Sequence, residues 1–281
     1  MSYDAESVRR HFDTLGEREW DRLERTLQGR VKYAVHKRQI EKHVRDGMRV
    51  LDAGCGPGRF AIDIARLGAR VTLVDISDVQ LDLARKRLAD AEVMGHVGDI
   101  RRMDVLDMSA FGESSFDAVV CFGGAVSYTT RQHVDALRQL ARVAKPGAPV
   151  LVSVMSLIGA LRLIGPLDAA SVLESWEAHL DFEAVRGGAD VILTNPTSNE
   201  FHKPLALFTA QGLRTALESA GLGVETIAAS DSLIPEYFQI PKINASEKAS
   251  AELIALEVAL SERPGLVDGG GHLIGVGRKA V

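Results

Sequence analysis

Between residues 49 and 155 the chain repeats one rhythm: a short apolar run, a turn, then a segment with helical spacing. The apolar runs fall at 49–53, 71–75, 116–122 and 149–155, the last after the breaker Lys145-Pro146-Gly147. Helical segments fall at 59–67, with Phe60 and Ile64 on one face, at 78–90 and at 131–143. The second is opened by Ser77 and Asp78, both good N-cap types. Strands that are apolar on both faces and alternate with helices must be covered by helices on both sides, which dictates a mostly parallel sheet. The 281 residues leave room for one large α/β domain with an insertion.

The flanks break the rhythm. Residues 5–15 and 18–27 carry mixed charges with periodic apolar positions, and Tyr33, His36 and Ile40 continue at helical spacing until Gly47. After Met155 comes a stretch of about fifty residues, 157–206, with no regular alternation. Then 209–220 reads as a helix, 223–229 as a strand, 246–261 as a helix and 272–279 as a last strand. We therefore expect a single domain over 1–281. Residues 1–46 form N-terminal helices able to act as a lid, anchored by Tyr3 and Trp20. Residues 47–156 form the cofactor-binding half, 157–206 a substrate-cap insertion after strand 5, and 207–281 the rest of the sheet.

The most informative segment is Asp52-Ala53-Gly54-Cys55-Gly56-Pro57-Gly58, which leaves the first strand and enters a helix. Glycines allow a sharp turn and a close approach of backbone to ligand. In open α/β sheets the ligand lies beyond the carboxyl ends of the strands, where strand order reverses. The dinucleotide pattern GxGxxG would need glycine at 59, and Arg59 stands there. The strand also ends in Asp52, whose carboxylate opposes a pyrophosphate and suits an ammonium or sulfonium. The loop thus fits S-adenosylmethionine better than NAD.

Two further acids follow in order. Asp75 closes the second strand and can accept hydrogen bonds from two ribose hydroxyls, a device NAD-binding folds share. Asp104, in Met103-Asp104-Val105, can accept from an adenine amino group, and Asp99 is its rival for that role. The neighbours Ile76, Gln80, Val105 and Phe122 are expected to complete the cofactor's surroundings.

These motifs resemble the class I S-adenosylmethionine-dependent methyltransferase superfamily. Residues 52–58 look like its first motif, 71–75 its second, 116–122 its fourth, and Lys145-Pro146-Gly147 the turn before its fifth strand. The segment Phe122-Gly123-Gly124-Ala125-Val126-Ser127-Tyr128 is similar to bacterial small-molecule methyltransferases. The resemblance implies a Rossmann-like seven-stranded sheet of order 3-2-1-4-5-7-6 with strand 7 antiparallel. It implies S-adenosylmethionine as cofactor, with S-adenosylhomocysteine as product, and methyl transfer to a small-molecule acceptor at O, N, C or S. Two departures stand out. Met103 replaces a glycine before the adenine-facing acid, and Phe122-Gly123-Gly124 replaces the Asn/Asp-Pro-Pro-Tyr/Phe signature of methyltransferases acting on exocyclic amines.

Other residues are candidates on position. Arg30, Tyr33 and His36 share one helical face just before the first strand and could reach the cofactor's methionine end, or simply pack that helix on the sheet. His202 reads either as a general base or as a surface loop residue, and Tyr128 as a catalytic or pocket-lining residue. Trp176, His179, Tyr237 and Phe238 are further aromatic candidates. Alternatives to a small-molecule methyltransferase are one acting on protein or RNA, or a non-catalytic cofactor-binding module. The net charge is −5, and residues 161–262 hold 6 basic against 15 acidic side chains. That balance disfavours nucleic acid and favours neutral or cationic substrates. No apolar run reaches the roughly 18 residues of a membrane span. With only Cys55 and Cys121, neither a disulfide scaffold nor a four-cysteine zinc site can form. We expect a cytoplasmic monomer or homodimer without metal.

Overall fold

The computed structural model describes residues 3–162, 180–194, 204–234 and 246–280. Its main sheet is built from β1 (Arg49–Ala53), β2 (Arg70–Asp75), β3 (Val97–Arg102), β4 (Ala118–Cys121), β5 (Pro149–Met155), β8 (Leu222–Ser230) and β9 (His272–Lys279), while β6 (Val191–Leu193) and β7 (Leu205–Leu207) form a separate pair. The order is β3-β2-β1-β4-β5-β9-β8. The first five strands pair in parallel, and β9 runs antiparallel to both β5 and β8. This is the expected order, with β8 and β9 as the sixth and seventh strands of the sheet.

The sheet divides two core layers because successive side chains point to opposite faces. Leu51, Val74, Val119 and Val152 pack on one side with Val126 of α6 (Ala125–Tyr128) and with Leu137 and Leu140 of α7 (His133–Val143). Val50, Leu73, Val120 and Leu151 pack on the other with Val31 and Val35 of α3 (Leu27–His43), Ile64 of α4 (Arg59–Arg66) and Leu81 of α5 (Asp78–Asp90). Burial on both faces explains why β4 is apolar throughout.

Three regions correct or refine the sequence reading. The helix expected over 18–27 is only α2 (Arg18–Asp21). A new helix starts at Leu27 because Thr26 takes an extended backbone and its hydroxyl accepts the Gly29 N–H. Strand β3 carries no apolar run because it lies at the sheet edge, with Gly98, Asp99, Arg101 and Arg102 among its six residues. The insertion begins with α8 (Leu157–Arg162) and includes α9 (Phe182–Arg186) and the β6–β7 pair. Its two ends meet: the Leu157 N–H donates to the Phe208 carbonyl at 2.8 Å, and the Phe208 N–H to the Met155 carbonyl at 3.0 Å. Leu157, Leu180, Val191, Leu193 and Leu205 of the expected insertion, with Leu207 just past it, form a third apolar cluster with Tyr128 and Val8.

The first helix, α1 (Ala5–Leu15), lies on the sheet's carboxyl end. Its N-terminus is capped by Asp4, whose side chain accepts the Ser7 N–H. Phe12 meets Tyr128 edge to face at 5.5 Å. Among the described residues no helix is long and apolar enough to cross a membrane.

Candidate active site

A cleft opens at the carboxyl ends of β1, β2 and β4, roofed by α1. It encloses about 590 Å³ of empty space, part of it open to solvent. Its floor is the glycine loop. Gly54, Gly56 and Gly58 all have positive φ (+69°, +50° and +81°). The turn is fixed because the N–H groups of Gly54 and Cys55 both donate to the Val74 carbonyl. A Cβ on Gly54 would stand 2.7 Å from the Ala125 Cβ, so the loop sits directly against the segment after β4. A Cβ on Gly56 would meet only Glu19, at 3.9 Å, and would otherwise fill the cleft.

Two acids lie under this floor. Asp75 ends β2; its Oδ2 accepts the Gly56 N–H at 2.8 Å and its Oδ1 the Ser77 N–H at 2.9 Å. Burial pushes its carboxyl up to about 6, and those two amides oppose the shift. Asp52 is 1% exposed, and its Oδ2 has no hydrogen-bond partner among the described residues. Burial, reinforced by the charge of Asp75, raises it to about 7. A buried carboxylate oxygen without a donor is costly, and two such acids side by side favour a cationic ligand nearby. The residues present therefore fit a cofactor that carries positive charge next to a ribose. Asp52 and Asp75 would answer its charge and hydroxyls, and the bare backbone of Gly56 would let it approach.

Asp104 lies just past β3 on the cleft wall between Met103 and Val105. Its Oδ1 accepts the Leu106 N–H, and its Oδ2 the Tyr3 hydroxyl. The rival Asp99 is out of reach of the cleft: it pairs with Arg101 and borders a different groove, at the opposite ends of the strands. Ile76 and Phe122 also line the cleft, and so does Tyr128. Burial raises the Tyr128 phenol to about 12, so it stays protonated at neutral pH and can act only as a hydrogen-bond donor or acceptor. Cys55 is buried beside the loop, and burial holds its thiol well above its usual range, which fits a packing role.

Four expected cofactor residues point elsewhere. Gln80 turns its amide to α1, donating to the carbonyls of Phe12 and Gly16. The Tyr33 hydroxyl donates to Asp63, with the Arg59 guanidinium over its ring. Arg30 faces Glu247 at 3.9 Å. His36 is buried between Phe60 and Phe122, its Nδ1 2.7 Å from the Lys32 carbonyl. Burial lowers it to about 4, so it is neutral and serves as a wall behind Phe122. His202, Trp176, His179, Tyr237 and Phe238 lie outside the described residues.

The sequence reading did not place three cleft residues, Val8, Phe12 and Glu19. Val8 and Phe12 come from α1 and Glu19 from α2. Glu19 is ion-paired to Arg22 at 2.6 Å, and a Cβ on Gly123 would stand 3.8 Å from the Arg22 guanidinium. The helical periodicity of 5–15 marks Val8 and Phe12 as one apolar face, but nothing in it says that the face covers a ligand. Among the described residues no group of three or more histidines, cysteines or acids could hold a metal ion.

Residues 50–147 match the family described as methyltransferase domain. Over 114 residues the chain is 35% identical to the ubiquinone biosynthesis O-methyltransferase of Xanthomonas oryzae pv. oryzae, covering 39% of this chain and 44% of that protein. The chain thus spans less than half the length of this curated relative. Among solved structures, a chain of the Haloferax volcanii complex between the Trm112 methyltransferase activator and a methyltransferase aligns with a TM-score of 0.62. The identity is 18%, and 98% of each chain is covered. An S-adenosylmethionine-dependent methyltransferase from Methanosarcina mazei aligns with a TM-score of 0.56 at 17% identity, covering 86% of this chain and 97% of that one. The sheet order and the glycine loop agree with the methyltransferase domain matched over residues 50–147, and the solved structures share the fold. S-adenosylmethionine is the cofactor of the methyltransferases that this domain resembles.

Proposed function

We propose that the protein is an enzyme that transfers the methyl group of S-adenosylmethionine to an oxygen atom of a small, largely apolar acceptor. The observation that carries this reading is the division of the cleft. One side is polar, with the glycine loop, Asp75 and Asp104. The other is apolar, with Val8, Phe12, Phe122, Ala125 and Tyr128. The polar side suits the adenosine and charged end of a cofactor. The apolar side continues into the cluster supplied by the insertion, which suits an acceptor with an extended hydrocarbon or aromatic body. Oxygen as acceptor atom is supported by the curated relative, an O-methyltransferase.

When bound, the cofactor supplies a methyl group already activated by its sulfonium. The chain's own residues then bind, orient and exclude water. Phe12 and Val8 of α1 close the cleft from solvent. The Tyr128 hydroxyl, held protonated, orients the acceptor through a hydrogen bond. Among the described residues, Glu19 is the one carboxylate on the cleft wall with neither a ribose nor an adenine role. It stands ready to take a proton from an acceptor hydroxyl, with Arg22 holding it in place. His202 keeps its candidacy as a base on sequence grounds alone. An RNA acceptor is disfavoured by the acidic balance of residues 161–262.

The test is a panel of phenols, catechols, primary amines and thiols, each incubated with the purified protein and S-adenosylmethionine. Acceptor-dependent formation of S-adenosylhomocysteine is read by mass spectrometry. Turnover with hydroxylated aromatics alone supports the proposal; turnover confined to amines or thiols sinks its acceptor assignment.

A further inference from the structure

Asp104, the acid assigned to adenine, already has a donor from its own chain. The Tyr3 hydroxyl donates to its Oδ2 at 2.7 Å while the Leu106 N–H occupies Oδ1 at 2.9 Å. Tyr3 lines the cleft together with Met103 and Val105, which flank the acid on either side. Its ring packs in the apolar cluster that also holds Val8, Phe12 and Ile76. A flat ring presenting one neutral donor to a carboxylate is also how an adenine amino group would present itself.

Tyr3 is not an isolated contact, because it precedes a helix fastened at its far end. The Ser77 hydroxyl donates to Asp13 at 2.6 Å, and the Gln80 amide to the carbonyls of Phe12 and Gly16 at 2.9 and 3.1 Å. The helix α1 therefore runs as a strap between two fastenings, one at Asp104 and one at the N-terminus of α5. Between them lie Asp75 and Ile76, where a ribose would sit. Burial and the bond to Asp104 raise the Tyr3 phenol far above its usual range, so it remains a donor across the working pH range.

We propose that Tyr3 is a self-ligand of the cofactor site: its hydroxyl fills the hydrogen-bonding seat of adenine, and an adenosyl ligand must exchange with it at Asp104. The inference rests on the reading of the cleft as an S-adenosylmethionine site. It makes Tyr3 a residue that sets cofactor affinity through competition, without touching the reacting atoms.

The experiment is isothermal titration of S-adenosylhomocysteine into the full chain and into Tyr3→Phe, Asp104→Ala and the double variant. Tyr3→Phe keeps the ring and the strap's packing and removes only the competing donor. A hydrogen bond to a charged acceptor no longer has to be given up, so Kd should fall by about tenfold. In the Asp104→Ala background the same change should leave Kd unaltered. Weaker binding by Tyr3→Phe, or tightening that persists without Asp104, overturns the proposal while leaving the cofactor site standing. Absence of heat with the wild-type chain, shown free of carried-over ligand, overturns the cofactor reading and the Tyr3 proposal with it.

Discussion

Alanine placed at Gly54 and at Gly56 separates what the loop does for the fold from what it does for the ligand. Both positions have left-handed backbone, which costs an L-residue about 1–2 kcal/mol. At Gly54 the new methyl also meets the Ala125 Cβ at 2.7 Å, and neither partner can retreat easily. The loop is tied to Val74 by two hydrogen bonds, and Ala125 begins a buried turn. Overpacking of this kind adds about 1–3 kcal/mol, for a total near 2–5 kcal/mol. At Gly56 the nearest atom stands at 3.9 Å, so only the backbone term remains. That methyl instead projects into the space a cofactor would use. Urea unfolding should therefore show Gly54→Ala losing at least about 1 kcal/mol more stability than Gly56→Ala. Titration with S-adenosylhomocysteine should show Gly56→Ala binding at least about tenfold more weakly than wild type despite its smaller loss of stability. Equal destabilisation of the two variants, or wild-type affinity in Gly56→Ala, would refute the assignment of the loop as the cofactor's floor.

Three further outcomes follow from the same structure. Asp52 and Asp75 are held up to about 7 and 6 by burial, so the folded chain binds protons that the unfolded chain has released. Their contribution to stability is fully present below about pH 4 and is lost as pH rises through 6–7. Asp52→Asn should therefore gain stability relative to wild type between pH 5 and 8 in urea titrations; a flat difference would contradict the buried-acid reading. Glu257 is 1% exposed and accepts the backbone N–H groups of Ser232, Leu233 and Ile234. Glu257→Ala should cost about 3 kcal/mol by chemical denaturation, because buried donors lose their acceptor, and a loss under 1 kcal/mol would mean water replaces it. Tyr128→Phe should retain S-adenosylhomocysteine affinity in titration while its turnover with a hydroxylated acceptor falls by about tenfold. Unchanged turnover would reduce Tyr128 to a wall.

The sequence made the sheet legible where burial on both faces forces an apolar run, as in β1, β4 and β5. It also gave the bounds of α5 and β9, where Ser77 caps the helix and Lys279 closes the strand. It was silent on β3, because an edge strand needs few apolar residues, and it ran α2 into α3 because mixed charges hide the turn that Thr26 makes. The three acids and the glycine loop could be read in order, since each sits at or just past the end of a strand. The helix before β1 misled for a different reason. Arg30, Tyr33 and His36 share a face, but that face meets Asp63, Phe60 and Glu247, and periodicity cannot say what a face will meet. Tyr3 and Trp20 were legible as anchors of a helical lid. The bond from Tyr3 to Asp104 spans a hundred residues and belongs to tertiary structure alone.

The closed neck of the insertion has a consequence for how such a protein can change. Residues 156 and 208 are bridged by paired backbone bonds at the very end of β5, so the chain leaves the sheet and rejoins it at one place. A change of length between those two residues leaves the register of the sheet strands as it is. The scaffold and the part that recognises the acceptor are then free to drift at different rates. Exchanging the 157–207 segment with that of another protein of the same fold becomes a direct way to ask whether acceptor choice travels with it.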